Sequence, residues 1–392
     1  MSLFPETAAL STSPSPLIFL SAGEVSGDIY ASQLAQALLA QTPGCRLIGI
    51  GGPRMLAAGV QLLADPLSRS AVGLSENLPG LPWFWQLFLR LRTWLRTMRP
   101  QAVVLVDFQG LNLKLAEVAR SLGIPVIYYI APQDWLWGLP QSADRLVALT
   151  DLILAVFEPE YRYYLRRGAR VEQVGHPLLD LLPARQTPAQ ARLALGLNPE
   201  QRVICLMPGS RQLEVERLWP VLTELALRFQ AEGALCLCPL AEAFLQLPAL
   251  PPGLQLLPAD KRYAAMQAAD LVIGASGNMV LEAALLQVPV IALYRVSGLT
   301  YAVASRLLKV KHITLPNILL GQGIVPEFVQ NLALDPLLKA SHALLARPEI
   351  QLAQLQPLCG LLAPSGAAER AAGLILAETV ARAEGLHTAE PD

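Results

Sequence analysis

Two turns in this chain have the residue types and spacing to hold an anion. In the first, Met207-Pro208-Gly209-Ser210-Arg211, a short apolar run from Val203 to Met207 meets a stretch, Gln212 to Phe229, whose apolar positions (Leu213, Leu218, Val221, Leu222, Leu225) recur at helical spacing. A glycine turn between a strand and a helix lets backbone come close to a ligand at Gly209. The helix start offers amide N–H groups beside Ser210, and Arg211 adds a fork of donors suited to phosphate oxygens. A phosphate or diphosphate is the ligand this chemistry fits; the alternative is that Pro-Gly-Ser only turns the chain and Arg211 is solvated.

The second turn, Gly274-Ala275-Ser276-Gly277-Asn278, precedes a helix from Met279 to Leu286. Ser276, Gly277 and Asn278 are small donors at that helix start, and Glu282, one turn further on, is placed to accept from a ribose diol. Equally, Ser276 or Asn278 could be a simple cap and Glu282 a solvated helix residue. A third segment, Pro316-Asn317 to Pro326-Glu327, reads as irregular, with apolar residues around Asn317, Gln322 and Glu327. Polar side chains there either reach a ligand or satisfy backbone groups.

These turns need strands and helices to hold them. Leu17 to Leu20 reads as a buried strand entering Ser21-Ala22-Gly23-Glu24-Val25-Ser26-Gly27-Asp28, with a helix from Ile29 to Ala40. Leu47 to Ile50, Val103 to Val106, Val126 to Ile130, Leu152 to Val156 and Val171 to Val174 continue as apolar runs alternating with helical segments. The alternation restarts after Gly175-His176-Pro177 with Val203 to Met207, Ala234 to Cys238, Leu254 to Leu257, Leu271 to Gly274 and Val290 to Leu293. Strands apolar throughout and alternating with helices predict parallel sheets covered on both faces. The expectation is an α/β protein of two Rossmann-like domains facing a cleft, with ligands at the carboxyl ends of the strands. The boundaries read as a loose Ser/Thr/Pro-rich tail over 1–16, a first domain over 17–175, a second over 176–332, and C-terminal helices over 333–392. Those helices pack either back across the first domain or onto a second subunit, so a homodimer is left open.

Composition narrows the function classes. The 392 residues are 53% hydrophobic and 16% charged, with a formal net charge of −1. A chain so nearly neutral has no general attraction for nucleic acid, and any anion binding must be local. Five scattered cysteines fit reduced core residues of a cytosolic protein better than a zinc site or a disulfide framework. There is no apolar run long enough to span a membrane, and the first residues lack the pattern of a signal peptide.

Five motifs in register carry a resemblance. Gly23-Glu-Val-Ser-Gly-Asp28, Val174-Gly-His-Pro-Leu178, Pro208-Gly-Ser-Arg211, Ser276-Gly-Asn-Met-Val-Leu-Glu282, and Pro316-Asn317 with Val325-Pro-Glu327 together resemble the lipid-A-disaccharide synthase family from about Leu17 to about Gln330. The resemblance implies a GT-B glycosyltransferase that joins UDP-2,3-diacylglucosamine to 2,3-diacylglucosamine 1-phosphate, releasing UDP. It assigns Gly209, Ser210 and Arg211 to the diphosphate, and Ser276, Gly277, Asn278, Glu282 and Asn317 to the rest of the UDP-sugar. His176 is either a cleft residue on the same ligand or a hinge histidine bonded to backbone. Ser26, Asp28, Asn112, Trp83 and Trp85 fall to the acceptor and its acyl chains. Helix N-termini and Arg211 can stabilise a departing diphosphate without a metal, no Asp-x-Asp pair is apparent, and no cofactor is expected.

Direct displacement also needs a base for the acceptor hydroxyl. Asp107, Glu24 and Asp28 are the candidates, with Asp107 preferred and Asn112 as its helper; the plainer reading makes Asp107 a helix cap. The family pattern Asp-x-x-Asp-Phe-Asn has a candidate base at its second Asp, but this chain reads Asp107-Phe-Gln-Gly110-Leu-Asn112. It also has Ala131-Pro-Gln-Asp-Trp-Leu-Trp137 for Ser-Pro-x-x-Trp-Ala-Trp, and Phe157-Glu-Pro159 for Pro-Phe-Glu. Between Val72 and Met98, tryptophans and leucines with Arg90, Arg92 and Arg96, and Arg99 just past the end, suit an amphipathic segment in a lipid headgroup layer, and equally a buried helix edged by Arg stems. The protein is expected at the cytoplasmic face of an inner membrane, peripherally bound. The alternatives are a non-catalytic UDP-sugar or lipid-binding relative and another UDP-sugar enzyme such as a 2-epimerase.

Overall fold

The computed structural model describes residues 15–67, 81–137, 140–240, 251–296 and 311–383. The start of the expected N-terminal tail, the first part of the aromatic–arginine segment and the last residues of the C-terminal stretch lie outside them. The chain divides into two compact units: one holds described residues up to 177 together with 366–383, the other 178–365.

The first unit is built on seven strands: β1 (Leu17–Ala22), β2 (Arg46–Ile50), β3 (Gln61–Ala64), β4 (Ala102–Val106), β5 (Val126–Tyr129), β6 (Leu152–Ala155) and β7 (Val171–Gln173), in the order β3-β2-β1-β4-β5-β6-β7. Every pairing is parallel. Covered by helices on both faces, these strands bury side chains of both orientations, so β1 and β4 are apolar along almost their whole length. The order reverses between β1 and β4, and that is where the Gly23–Asp28 and Asp107 turns emerge.

The second unit holds β8 (Val203–Met207), β9 (Leu235–Leu240), β10 (Leu254–Pro258), β11 (Leu271–Ala275), β12 (Val290–Tyr294) and β13 (Glu327–Val329), in the order β10-β9-β8-β11-β12-β13, again all parallel. Its reversal falls between β8 and β11, between the two anion-type turns. Two edge strands, β3 and β13, were not expected. Each is short and only half buried, so neither carries the continuous apolar signal of the inner strands. The segment read as irregular up to Glu327 contains a helix, Leu315–Leu320, and ends in β13.

The final helix, Ala367–Ala383, lies on the first unit. Gln41 Nε2 donates to the Glu369 carbonyl at 2.8 Å, the Arg370 guanidinium donates to the Val174 carbonyl at 2.6 Å, and Arg170 pairs with Glu378 at 2.6 Å. Helix Leu81–Met98 buries Leu87, Leu91, Trp94 and Leu95 in the first unit's core, where the Trp94 ring lies 5.3 Å from that of Phe19. Its buried face is the structural half of the two readings above. The other face leaves Trp85 53% and Leu89 38% exposed, with Lys114 Nζ 5.2 Å from the Trp85 ring centroid.

Candidate active site

In the second unit the two turns at the β8/β11 reversal touch. Gly209 has φ +118°, and a Cβ there would stand 3.3 Å from that of Ala275 and 2.5 Å from Glu214 Oε2; only glycine fits without strain. Beneath the turns, a Cβ on Gly274 would come within 2.2 Å of the Met207 carbonyl oxygen, so β11 can approach β8 closely only without a side chain there. The amides at the helix start are not open, as the sequence reading supposed: Glu214 Oε2 accepts from the Ser210 N–H at 3.1 Å and the Arg211 N–H at 3.3 Å. Glu214 Oε1 lies 3.6 Å from the Arg211 guanidinium. A carboxylate of the chain itself thus occupies donors that suit a phosphate.

On the second turn, Ser276 donates its N–H to the Leu293 carbonyl at 2.8 Å, Gly277 is exposed, and helix Asn278–Leu285 starts after it. Glu282 is not a solvated helix residue. It is 7% exposed, and its Oε1 accepts from the Tyr263 hydroxyl at 3.0 Å and the Arg262 guanidinium at 3.3 Å. The Arg262 guanidinium in turn covers the Tyr263 ring at 4.3 Å. Arg262 and Tyr263, which sequence reasoning missed, begin the helix after β10; their position past a strand end was the only available signal. Burial, with the Glu282 charge adding, pushes the Tyr263 phenol up to about 12, so it stays a donor.

Asn317 needs correction as a ligand residue. Its Oδ1 accepts from the Ile324 and Val325 N–H groups at 2.8 Å, and its Nδ2 donates to the Val325 carbonyl at 2.8 Å and Glu327 Oε1 at 2.9 Å. All its hydrogen-bonding capacity is used internally. Glu327 also receives the Ile313 and Thr314 N–H groups at 3.1 and 2.9 Å. The pair clamps a loop.

In the first unit, Asp28 is likewise set aside as base or acceptor residue. It is buried, and its carboxylate caps the short helix Pro53–Ala57, accepting from the N–H groups of Gly52 (2.8 Å), Met55 (3.0 Å) and Arg54 (3.1 Å). Glu24 caps helix Val25–Gln41 by position and is half buried, as is Ser26.

Asp107 and Phe108 both lie in the left-handed region, at φ +50° and +49°, as does Ile130 past the neighbouring strand at +58°. Such residues cost about 1–3 kcal/mol each and persist where the surroundings over-determine them. Here Tyr128 donates its hydroxyl to the Asp107 carbonyl at 2.7 Å, and Asn112 Nδ2 donates to the same oxygen at 2.7 Å. Asn112 Oδ1 accepts from Ser21 Oγ at 2.6 Å, tying the end of β1 to that of β4. Asn112 is a buried strap rather than an acceptor contact. The Phe108 ring lies over Gly23, where any Cβ would be 2.2 Å from it.

Beyond β5 and β6, Asp134 accepts from Gln109 Nε2 at 3.3 Å, and Gln109 also donates to Ser142 Oγ at 2.5 Å. Glu160 Oε2 accepts from the Val156 and Phe157 N–H groups at 2.8 and 3.2 Å. Burial pushes the Glu160 carboxyl up to about 8. His176 packs with the Tyr30 ring at 5.6 Å and the Phe157 ring at 4.9 Å, and its burial pushes the imidazole down to about 3, so it is neutral at physiological pH. Trp83 packs edge-on against Phe84 at 4.8 Å.

Two parallel-sheet α/β units with ligand-type turns at each reversal define the GT-B class of fold, shared by nucleotide-sugar transferases and 2-epimerases. Solved structures agree. A putative UDP-N-acetylglucosamine 2-epimerase from Listeria monocytogenes matches at TM-score 0.64 and 15% identity, covering 96% of this chain and 99% of that one. The kitacinnamycin glycotransferase matches at TM-score 0.59 and 16% identity, covering 93% and 100%. These likenesses establish the fold alone.

Sequence relatives decide the family. The profile described as Lipid-A-disaccharide synthetase matches residues 18–356. Lipid-A-disaccharide synthase of Geobacter metallireducens is 35% identical, with 94% of this chain and 98% of the relative covered; that of Prochlorococcus marinus is 39% identical, with 84% and 90% covered. The chain belongs to the lipid-A-disaccharide synthase family of glycosyltransferases, which sets aside the epimerase alternative.

Proposed function

We propose that this chain joins UDP-2,3-diacylglucosamine to 2,3-diacylglucosamine 1-phosphate by an inverting displacement, giving the lipid A disaccharide 1-phosphate and UDP. The observation that carries the reading is the contact of the Gly209–Arg211 and Gly274–Asn278 turns at the β8/β11 reversal, within a chain of this family. The second unit supplies the donor side. Arg211 and the Ser210 and Arg211 amides hold the diphosphate as its charge develops, and Glu214 gives up those amides when the nucleotide enters. Ser276, Gly277 and Asn278 line the other edge. Glu282, held by Tyr263 and Arg262, accepts from the ribose hydroxyls.

The first unit supplies the acceptor side, with Glu24, Ser26 and the carboxylates Asp107 and Asp134 at the strand ends. Asn112 and Tyr128 hold the backbone that carries Asp107. His176, neutral, serves as a packing and hydrogen-bonding group rather than a proton carrier.

No helix among the described residues is long and apolar enough to cross a membrane. The exposed Trp85 and Leu89, with Arg90 and Arg96 on the same helix, support a peripheral contact with the inner face of the membrane, where both acylated substrates reside. The test is direct: purified protein in detergent with the two acylated glucosamine substrates forms disaccharide and UDP in equal amounts. Failure to form either refutes the reading.

A further inference from the structure

Resting on the glycosyltransferase reading above, we propose that Asp134 is the general base for the acceptor hydroxyl, standing in for the carboxylate that Gly110 lacks. In the family pattern the candidate base is the second aspartate of Asp-x-x-Asp-Phe-Asn, at Gly110 here, while the first is retained as Asp107. Gly110 is exposed near the start of helix Gln109–Ser121, and a Cβ built on it meets nothing within 4 Å. The room for a side chain is kept and the carboxylate is absent.

Its sequence neighbour, Gln109, reaches across to a carboxylate from another strand end: Gln109 Nε2 donates to Asp134 Oδ2 at 3.3 Å. Asp134 falls at one of the two unspecified positions of the family's Ser-Pro-x-x-Trp. Its own N–H is bound to the Pro132 carbonyl at 2.7 Å, which sets the turn, and the residue is 8% exposed. A base held by an orienting side chain is the arrangement proton abstraction requires.

Burial pushes the Asp134 carboxyl up, while Ser142, Gln109 and the Arg167 charge pull it back; the phenols of Tyr128, Tyr163 and Tyr164 are its other titratable neighbours. A raised carboxylate is the stronger base. Of the other carboxylates here, Asp28 caps a helix and Glu160 caps the start of another.

In the step itself, the acceptor oxygen bonds to the anomeric carbon as that carbon's bond to the UDP oxygen breaks. UDP leaves with the electron pair, the hydroxyl proton passes to Asp134, and the resulting carboxylic acid later returns it to water.

The test compares Asp134→Asn, Asp134→Asn with Gly110→Asp, and Gln109→Leu in the disaccharide-forming assay. For Asp134→Asn, kcat is expected to fall by about 100-fold or more while the donor KM stays within about threefold. Adding Gly110→Asp recovers at least about a tenth of the lost turnover, because it returns a carboxylate to the open space. Gln109→Leu removes a donor that favours the ionised form, so the acidic limb of the kcat profile moves to higher pH. Asp134→Asn turnover within about fivefold of the parent overturns the assignment. So does an unmoved limb in Gln109→Leu, a variant that remains informative if Asp134→Asn fails to fold. If the parent protein forms neither disaccharide nor UDP, the transferase reading fails instead.

Discussion

Replacing Glu160 by Gln should change how stability depends on pH, and the direction follows from its site. The carboxyl is 1% exposed, and burial moves it from the ordinary 4.5 up to about 8, even with backbone amides of Val156, Phe157 and Ala131 favouring the charged form. The folded protein therefore holds this proton more tightly than the unfolded chain between pH 4.5 and 8. Stability is greatest, as far as this group is concerned, below 4.5; it falls as pH rises and levels off above 8. At about 1.4 kcal/mol per pKa unit, the penalty is on the order of 3 kcal/mol by pH 7 and approaches 5 above pH 8. Glu160→Gln keeps an oxygen for the Val156 and Phe157 amides and cannot ionise. Urea unfolding of parent and variant at pH 5, 6, 7 and 8 should show the difference moving in favour of the variant by roughly 3–4 kcal/mol across the series. Other titrating groups cancel in that difference, as does any constant cost of burying the amide NH2. Parallel curves would refute the claim that Glu160 is buried with a retained proton.

Glu214→Gln removes a charge from the donors assigned to the diphosphate, and a like charge about 4 Å away that is fully screened by water is worth about 1 kcal/mol, so UDP should bind at least about fivefold tighter by calorimetry; weaker binding would mean that Glu214 only shapes the turn. Gly209→Ala forces a side chain to φ +118° against Glu214, and the variant should lose about 1–3 kcal/mol of stability together with most UDP affinity. Glu282→Gln should weaken UDP binding by about tenfold, whereas binding of free phosphate, which has no ribose, should not change. Trp85→Ala with Leu89→Ser should lower co-sedimentation with anionic liposomes while leaving turnover on a detergent-dispersed, short-chain substrate unaltered; equal sedimentation would count against this helix as the membrane contact.

The inner strands were readable because each is a continuous apolar run flanked by turn residues, the pattern imposed by burial on both faces. Edge strands β3 and β13 were not, because partial exposure leaves them no such pattern. The anion turns are legible because both carry glycine where a side chain does not fit: Gly209 has a positive φ and Gly274 stands against the Met207 backbone. Polar side chains are less predictable, since type and spacing do not reveal what each one meets. Asn317, Asp28 and Asn112 have the types of ligand residues and are consumed inside the protein, while Glu282, assigned to the ribose from its place on the helix, is buried and held by two residues from a helix about twenty positions earlier.

The amino-acid sequence by itself determined the two parallel-sheet units, the glycine turns between strand and helix, the family, and the loss of a carboxylate at Gly110. Those properties follow from local patterning and covalent order. Tertiary structure decided which polar groups remain for chemistry: it put Glu214 on the phosphate-type amides, spent Asp28 on a cap, and carried Asp134 to Gln109 from a different strand end. The physical reason is that a buried donor or acceptor must find a partner, and the partner is chosen by the folded neighbours rather than by position in the chain.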